Sequence, residues 1–299
     1  MRRGLEPISV KPSPPYRITP HLDRYCPSGE PMPCIYDGGS KRWRSLVSIR
    51  GEMRPLALNV RSEGQNPLVH VLVEDDLDRD RRREAQSTAS WILALDVDYM
   101  GFMGRTAGTP LHSIAWRGFG LRPARATSVY EALLMALVWG QGKPSSALSA
   151  LVRSAGPSIV VQGEEFYGPP DPERVKSLGL DGLKSLGFSQ QRAEAVLAVS
   201  AAVSSGSLPT MEEASENPRK AARAFAEIPG VGRSAAEVAA SLISRRPWSG
   251  FSPEAMARRI SEATGVGYGA RDLEDLLGEY LGLAYYLVGY VQVQPTANA

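Results

Sequence analysis

The chain has 299 residues, 43% apolar and 22% charged, which is the mixture of a folded globular protein with room for two domains. Lys and Arg number 34 against 32 Asp and Glu, so the formal net charge of +2 neither indicates nor excludes a polyanionic partner. Only two cysteines and three histidines occur, which excludes a disulfide scaffold, a Cys-rich zinc module and a four-cysteine iron–sulfur cluster.

The cysteines and the apolar runs also bear on the compartment. Cys26 and Cys34 are expected to be free thiols in a reducing cytosol, although the sequence leaves their pairing open. No window reaches about 18 uninterrupted apolar residues, and residues 1–15 contain no apolar signal core. We therefore expect a cytoplasmic protein without a membrane segment.

The first third of the chain has the two-residue period of strands. Residues 1–20 are rich in proline and predict an extended, partly mobile lead-in. Residues 21–82 predict an antiparallel β-rich domain, because short apolar runs alternate with turn-prone stretches. These runs are WRSLVSIR (43–50), PLALNVRS (55–62) and LVHVLVED (68–75). The mixed charges at 75–83 are typical of a solvated turn before a helix rather than of a basic arm.

From residue 83 the hydrophobic period changes to about 3.6, so residues 83–299 predict a helical domain. The candidate helices span 83–103, 128–139, 145–154, 172–177, 189–204, 217–227, 233–244, 253–264 and 272–291. Ser128, Asp171 and the pair Ser252-Pro253 are typical residues for helix starts. The predicted fold class is therefore mainly α with an N-terminal antiparallel β domain, an α+β fold.

The most informative motif is the stretch IPGVGRS (228–234), which lies between two predicted helices. Glycines on either side of one apolar residue permit a hairpin whose backbone N–H groups converge at the start of the next helix. Such a nest, with the positive end of the helix dipole behind it, binds a phosphate whatever the base. The alternative is an ordinary helix-to-helix turn with a glycine cap. Small residues at 235, 236, 239 and 240 permit close helix approach and favour a DNA-contacting helix-hairpin-helix element at 217–244.

Three blocks of sequence, in this order, resemble the helix-hairpin-helix / Gly-Pro-Asp DNA glycosylases, and among them the two-domain alkylbase (3-methyladenine) branch. The blocks are 120–125 with 130–134 and 139–141, then 183–194, and then the hairpin itself. The resemblance covers residues 117–292 and implies the helix-hairpin-helix DNA glycosylase fold. It also implies an enzyme of base-excision repair that flips a damaged base out of duplex DNA and hydrolyses its N-glycosidic bond.

The resemblance also assigns the chemistry of the site. Members that cut the sugar–phosphate backbone carry a Lys two residues after the second hairpin glycine, where this chain has Ser234, so lyase chemistry by a Schiff base is not expected. Twenty residues after Ser234, at the family's Asp position, this chain has Glu254. Its longer arm puts catalysis in doubt, because a misplacement of about 1 Å can cost roughly 100-fold in rate. The alternative role of Glu254 is to offset the dipole of its helix.

A second region of the resemblance departs from the family. Alkylbase members insert an apolar wedge into the gap that a flipped base leaves, and the corresponding region here is Gln141, Gly142 and Lys143. Neither Gly142 nor Lys143 is an apolar wedge. Lys143 is instead a candidate for a phosphate contact, with a solvated surface cation as the alternative.

The remaining candidate residues fall into two groups. The DNA-backbone candidates are Gly230, Val231, Gly232, Arg233 and Ser234. The candidate base pocket consists of Trp248, Phe251, Tyr285 and Tyr286. The helical spacing of the tyrosines also suits ordinary core packing, so both interpretations stay open at this point.

The sequence thus predicts a monofunctional DNA repair glycosylase that acts as a monomer on duplex DNA with damaged bases, in the nucleoid. No redox cofactor or catalytic metal is expected, and a Na⁺ or K⁺ ion at the hairpin is implied by the resemblance alone. One alternative is a glycosylase-fold protein that binds damaged or bent DNA without cleavage, as the Glu at the Asp position suggests. Another is a protein in which the hairpin is a protein-interaction turn and DNA is not a ligand.

Overall fold

The computed structural model describes residues 4–26, 29–138 and 146–293, so the predicted wedge region at Gln141, Gly142 and Lys143 lies outside the described residues. Within those ranges, no helix combines the length and the apolar character that a bilayer span requires. An antiparallel sheet comes first and helices dominate the rest of the chain, which confirms the predicted fold class.

The N-terminal sheet is antiparallel throughout. Its strands are β1 (Leu5–Val10), β2 (Ile35–Asp37), β3 (Arg42–Ile49), β4 (Glu52–Ser62) and β5 (Leu68–Glu74), paired in the order β1-β5-β4-β3-β2. The three predicted runs correspond to β3, β4 and β5. Leu58 of β4 pairs with Val71 of β5, so the two side chains point to the same face of the sheet. Both are fully buried in the core.

The proline-rich start of the chain is built into this sheet. Strand β1 pairs with β5 along its whole length, and the backbone N–H of Tyr16 then donates to the Gly64 carbonyl at 3.0 Å. A short helix, α1 (Thr19–Tyr25), follows and was not predicted. It ends at a disulfide between Cys26 and Cys34, whose Cα atoms are 5.8 Å apart. The expectation of free thiols is therefore wrong.

The helical part follows the predicted order with several changes of boundary, and the helices at Leu111–Arg117 and Met211–Glu216 were not predicted. Its helices are α2 (Arg79–Ile92), α3 (Tyr99–Thr106), α4 (Leu111–Arg117), α5 (Val129–Val138), α6 (Ser146–Ala155), α7 (Pro172–Ser185), α8 (Gln190–Ser204), α9 (Met211–Glu216), α10 (Pro218–Ala226), α11 (Gly232–Leu242), α12 (Pro253–Thr264), α13 (Ala270–Leu277) and α14 (Leu281–Val293). A 3₁₀ turn, Gly278–Tyr280, separates α13 from α14. A hairpin of β6 (Ser158–Val161) and β7 (Glu164–Tyr167) lies between α6 and α7, where helices alone were expected.

Backbone conformation explains where the predicted helices divide. The segment predicted as one helix over 83–103 breaks at Ala94, whose φ is +49°. Helix α3 then begins after Asp98, whose side chain caps it by accepting the N–H of Gly101 at 2.9 Å. The segment predicted over 272–291 breaks at Gly278, whose φ is +54°. Both values lie in the left-handed region, which a continuous helix does not use.

The sheet and the helices share their buried core. One cluster of buried apolar side chains joins the sheet to α5, α8, α10 and α11, and contains both Leu58 of β4 and Leu133 of α5. A second cluster joins α3 and α4 to α12, α13 and α14. Val238 and Trp248 pack against both clusters, so the junction between the two cores lies beside α11.

The first block of the family resemblance, 120–125, forms the seam between the N-terminal segment and the helices. Arg122 is almost fully buried, and its guanidinium donates to the carbonyls of Val97, Ser13 and Pro15. Gly120 has a φ of +76°, and a Cβ there would lie 2.9 Å from the backbone of Pro15. Glycine is therefore required at Gly120 for both its conformation and the close approach of the two segments.

Candidate functional site

A cavity of about 690 Å³ lies at the junction of the two cores. Its walls come from α1, α8, α11, α12, α14, the end of α5, the hairpin before α11 and the loop between α11 and α12. Parts of the chain that are far apart in sequence therefore meet around one space. The lining combines aromatic rings, arginines and the hairpin.

The hairpin forms one wall and is shaped by its glycines. Gly230 and Gly232 have φ values of +82° and +65°, which favour glycine, and all residues from 230 to 235 line the cavity. A Cβ on Gly230 would lie 2.8 Å from the Cβ of Ala195, so glycine also lets the hairpin pack closely on α8. Val231 is buried and anchors the turn, with its N–H donating to the Ile228 carbonyl at 3.1 Å.

The first turn of α11 leaves backbone donors at this wall. The helix begins without a side-chain cap. The first N–H groups of a helix have no partner within the helix, so these donors are available to a ligand. Arg233 and Ser234 lie in this turn, and both are exposed and line the cavity. The geometry is that of an anion site at a helix N-terminus.

Aromatic rings form another part of the lining. The rings of Trp248 and Phe251 lie parallel within 8° at a centroid distance of 6.1 Å. Tyr286 lies 5.2 Å from Trp248, and Tyr285 lies 4.7 Å from Phe251. All four predicted pocket residues therefore line one cavity, together with Tyr290. Tyr286 is also buried in the second core cluster, so its side chain both packs in the core and lines the cavity.

Two glycines position the loop that carries Trp248 and Phe251. A Cβ on Gly282 of α14 would lie 2.1 Å from the Pro247 carbonyl oxygen, and one on Gly250 would lie 2.4 Å from the Glu237 carbonyl oxygen. The loop is therefore held between α11 and α14 at distances that no other residue type permits. This close approach places the Trp248 ring at the cavity wall.

Helix α1 adds His21, which the sequence analysis did not single out. His21 is 1% exposed, and its Nδ1 atom lies 2.7 Å from the Tyr286 hydroxyl. Burial, with a smaller effect from the charge of Arg24, lowers the pKa of the imidazole to about 3, so the ring is neutral at neutral pH. A sequence signal for α1 existed in Pro20, because proline is frequent in the first turn of a helix.

The charged side chains in the described part of the cavity lining are all arginines, and none is acidic. The lining arginines are Arg24, Arg192, Arg233 and Arg259. The segments outside the described residues contain neither Asp nor Glu in their sequence. Arg233 pairs with Glu237 at 3.0 Å. Among the described residues, no carboxylate lies within ion-pair distance of the other three.

Glu254 lies next to this cavity in sequence but does not line it. It occupies the first turn of α12, behind the capping Ser252, whose hydroxyl accepts the Ala255 N–H at 3.2 Å. Its side chain is exposed, and among the described residues it forms neither a hydrogen bond nor an ion pair. Phe251, three residues earlier, is in the lining.

Solved structures of DNA glycosylases share this fold over nearly the whole chain, which confirms the predicted fold. The 3-methyladenine DNA glycosylase of Archaeoglobus fulgidus is similar, with 18% identity, a TM-score of 0.71, and coverage of 96% of this chain and 99% of that chain. A structure of MBOgg1 with a low-affinity DNA ligand gives 16% identity, a TM-score of 0.68, and coverage of 98% and 99%.

The apo form of Clostridium acetobutylicum 8-oxoguanine glycosylase/lyase is similar as well, with 15% identity, a TM-score of 0.64, and coverage of 97% of this chain and 98% of that chain. No protein-family model and no curated protein matches this sequence. At these identities the similarity establishes the fold, and the activity has to be argued from the site.

Proposed function

We propose that this protein is a DNA glycosylase of base-excision repair. One observation carries the proposal: the uncapped start of α11 and the aromatic rings line the same cavity. The backbone donors at Gly232, Arg233 and Ser234 would hold a phosphate of duplex DNA. A base extruded from that strand would then enter the cavity beside the bound phosphate.

The aromatic wall suits an extruded base. Trp248 and Tyr285 are half-buried, so each offers ring surface to the cavity while its other side packs in the core. A base that leaves the duplex loses stacking worth a few kcal/mol, and aromatic side chains replace part of it. His21 and Tyr286 add polar atoms that can hydrogen-bond the edge of the base.

The proposed reaction is hydrolysis of the N-glycosidic bond without backbone cleavage. Ser234 lies in the cavity at the position where a Schiff-base Lys is required for lyase chemistry, so no amine is present there. Glu254 is proposed to orient a water or to stabilise positive charge on the sugar, as the family resemblance implies. Because its side chain is exposed and outside the lining, bound DNA would have to bring the sugar to it.

Base release tests the assignment of Glu254. Purified protein is expected to release a damaged base from at least one duplex in a panel of oxidised, deaminated and alkylated substrates. Glu254→Gln is expected to lower the release rate at least about 100-fold, because the amide of similar shape cannot supply the carboxylate charge or take a proton from water. DNA affinity is not expected to fall, because the substitution removes a negative charge that repels phosphate. Release is measured in single turnover and affinity by fluorescence anisotropy.

Glu262→Gln is the matched control, because Glu262 is an exposed acid on the same helix at its other end. It is expected to leave the release rate unchanged. Activity that survives Glu254→Gln would remove Glu254 from its proposed role and leave the class of enzyme intact.

A second candidate function is recognition of damaged or bent DNA without cleavage. The absence of any Asp or Glu from the cavity lining, among the described residues, favours it. Tight binding to lesion-containing duplexes, with no release from any member of the panel, would support this function over hydrolysis. An affinity that does not change with salt would argue against DNA as the ligand in both cases.

The hairpin can be tested by a matched pair of glycine substitutions. Gly232 and Gly206 have φ values of +65° and +67°, and a Cβ on either meets no atom within 4 Å. Alanine at either position costs about 1–2 kcal/mol of backbone strain. Gly232→Ala is expected to weaken duplex binding at least about tenfold, because it disturbs the donors at the start of α11.

Gly206→Ala, in the loop between α8 and α9, is expected to destabilise the protein similarly and to leave DNA affinity unchanged. Affinity is measured by anisotropy and stability by urea unfolding. Equal loss of affinity in both variants would show that strain, and not the hairpin contact, is responsible.

A further inference from the structure

The cavity carries positive charge that the protein itself does not neutralise. Arg24, Arg192 and Arg259 line it without an ion-pair partner among the described residues, and no acidic side chain lines it. Arg24 is exposed and Arg192 and Arg259 are half-buried, so their guanidinium donors are open to a ligand in the cavity. A ligand that supplies hydrogen-bond acceptors suits this lining.

Arg24 acts on the polar end of the cavity. It lies one helical turn after His21 on α1, and its charge contributes to lowering the pKa of His21 and opposes the rise that burial causes in the pKa of the Tyr286 hydroxyl. These two side chains hydrogen-bond each other at 2.7 Å. The positive field of Arg24 therefore reaches the place where the edge of a base would lie.

Arg259 lines the cavity from α12, and contacts with α14 position its side chain. Its guanidinium lies over the Tyr285 ring at 5.3 Å from the centroid. A Cβ on Gly289 of α14 would lie 2.9 Å from the Arg259 side chain, so the glycine makes room for it. The Arg259 side chain therefore extends from α12 against α14, with its guanidinium beside the Tyr285 ring.

A positive charge brought into this space meets the like charges of Arg24 and Arg259, which repel it. A neutral base with exocyclic carbonyl groups meets guanidinium donors instead, which pair readily with purine oxygen acceptors. The two kinds of base should therefore differ strongly in their affinity for the cavity.

We propose that Arg24 and Arg259 make the cavity selective for neutral, carbonyl-rich bases, such as oxidised or deaminated ones, against positively charged alkylated bases. This inference rests on the proposed function and departs from the alkylated substrate that the family resemblance implies. It assigns a specificity role to α1, an element outside the three blocks that carry the resemblance.

The experiment compares two purine lesions that differ in charge. Duplexes carry either 8-oxoguanine, which is neutral, or 7-methylguanine, which is cationic, at one position. Both nucleotides carry a 2′-fluoro sugar, which slows cleavage so that affinity alone is measured by anisotropy at fixed salt. We expect the 8-oxoguanine duplex to bind at least about tenfold more tightly than the 7-methylguanine duplex.

Arg24→Gln then tests the cause, because Arg24 is exposed and its replacement should not affect folding, which circular dichroism checks. It is expected to reduce the affinity ratio between the two duplexes at least threefold, and Arg259→Gln to act in the same direction. The energy of extruding each base is the same for all the proteins compared, so it cancels when their affinity ratios are compared. Arg61→Gln removes an exposed arginine from strand β4, away from the cavity, and should leave the ratio unchanged.

Each other outcome has a separate meaning. An equal loss of affinity for both duplexes in Arg24→Gln would show that this arginine contacts a phosphate and would overturn the inference. Equal or tighter binding of 7-methylguanine by the wild-type protein would also overturn it, and both results leave the proposed function standing. Failure of the wild-type protein to bind any duplex would remove the proposed function and this inference with it.

Discussion

Replacement of Arg122 by Ala is expected to lower the free energy of unfolding by about 3–5 kcal/mol. The guanidinium is buried between the rings of Tyr16 and Tyr99, at 5.6 and 5.9 Å from their centroids. It donates to the carbonyls of Ser13 and Pro15 at 3.2 and 3.1 Å and to the carbonyl of Val97. Each buried carbonyl left without a donor costs about 1–3 kcal/mol, and the truncated side chain adds a void.

Urea unfolding at neutral pH measures this loss. Arg117→Ala serves as the control, because Arg117 is an exposed arginine at the end of α4. It is expected to change the free energy of unfolding by less than about 0.5 kcal/mol. A comparable loss in both variants, or no loss in Arg122→Ala, would contradict the role of Arg122 as the link between the N-terminal segment and the helices.

Acid is expected to destabilise the folded protein through His21. The folded protein holds the His21 pKa at about 3, whereas an unfolded histidine titrates near about 6.5. Between these values the unfolded chain binds a proton that the folded protein does not. The stability contributed by the neutral ring is therefore complete above about pH 6.5 and falls as the pH approaches 3, by up to about 4 kcal/mol.

The measurement is the free energy of unfolding at pH 7 and pH 4 for the wild-type protein and for His21→Gln. Gln can still hydrogen-bond the Tyr286 hydroxyl but does not titrate, so its stability should fall less between the two pH values. Acidic groups titrate in both proteins and cancel in the comparison. Equal pH dependence in the two proteins would exclude His21 as the source.

Local sequence signals predicted much of the fold. The strands β3, β4 and β5 have the two-residue period, and α12 has the predicted bounds because Ser252 and Pro253 define its start. The glycines of the hairpin predicted its turn, and the four aromatic residues placed in the base pocket all line the cavity. Whether they bind a base stays a prediction.

The arginines of the cavity lining and the disulfide could not be predicted from local sequence patterns. Helix α1 is seven residues long, too short to show a period, and its His21 meets Tyr286 only through tertiary packing. The lining arginines come from α1, α8, α11 and α12, and which way each side chain points depends on its neighbours in space. Which of these side chains line the cavity is determined by tertiary packing, and local sequence patterns do not contain that information.

The contact between His21 and Tyr286 joins residues 265 positions apart. During synthesis, domains near the N-terminus can begin to fold while the ribosome is still adding residues. This cavity cannot be completed at that stage, because α14 follows its other walls in the chain. A nascent chain that has only just added the hairpin lacks α14, and with it Tyr285, Tyr286 and Tyr290. The capacity to enclose a ligand is therefore acquired only after the proposed phosphate-binding turn has been made.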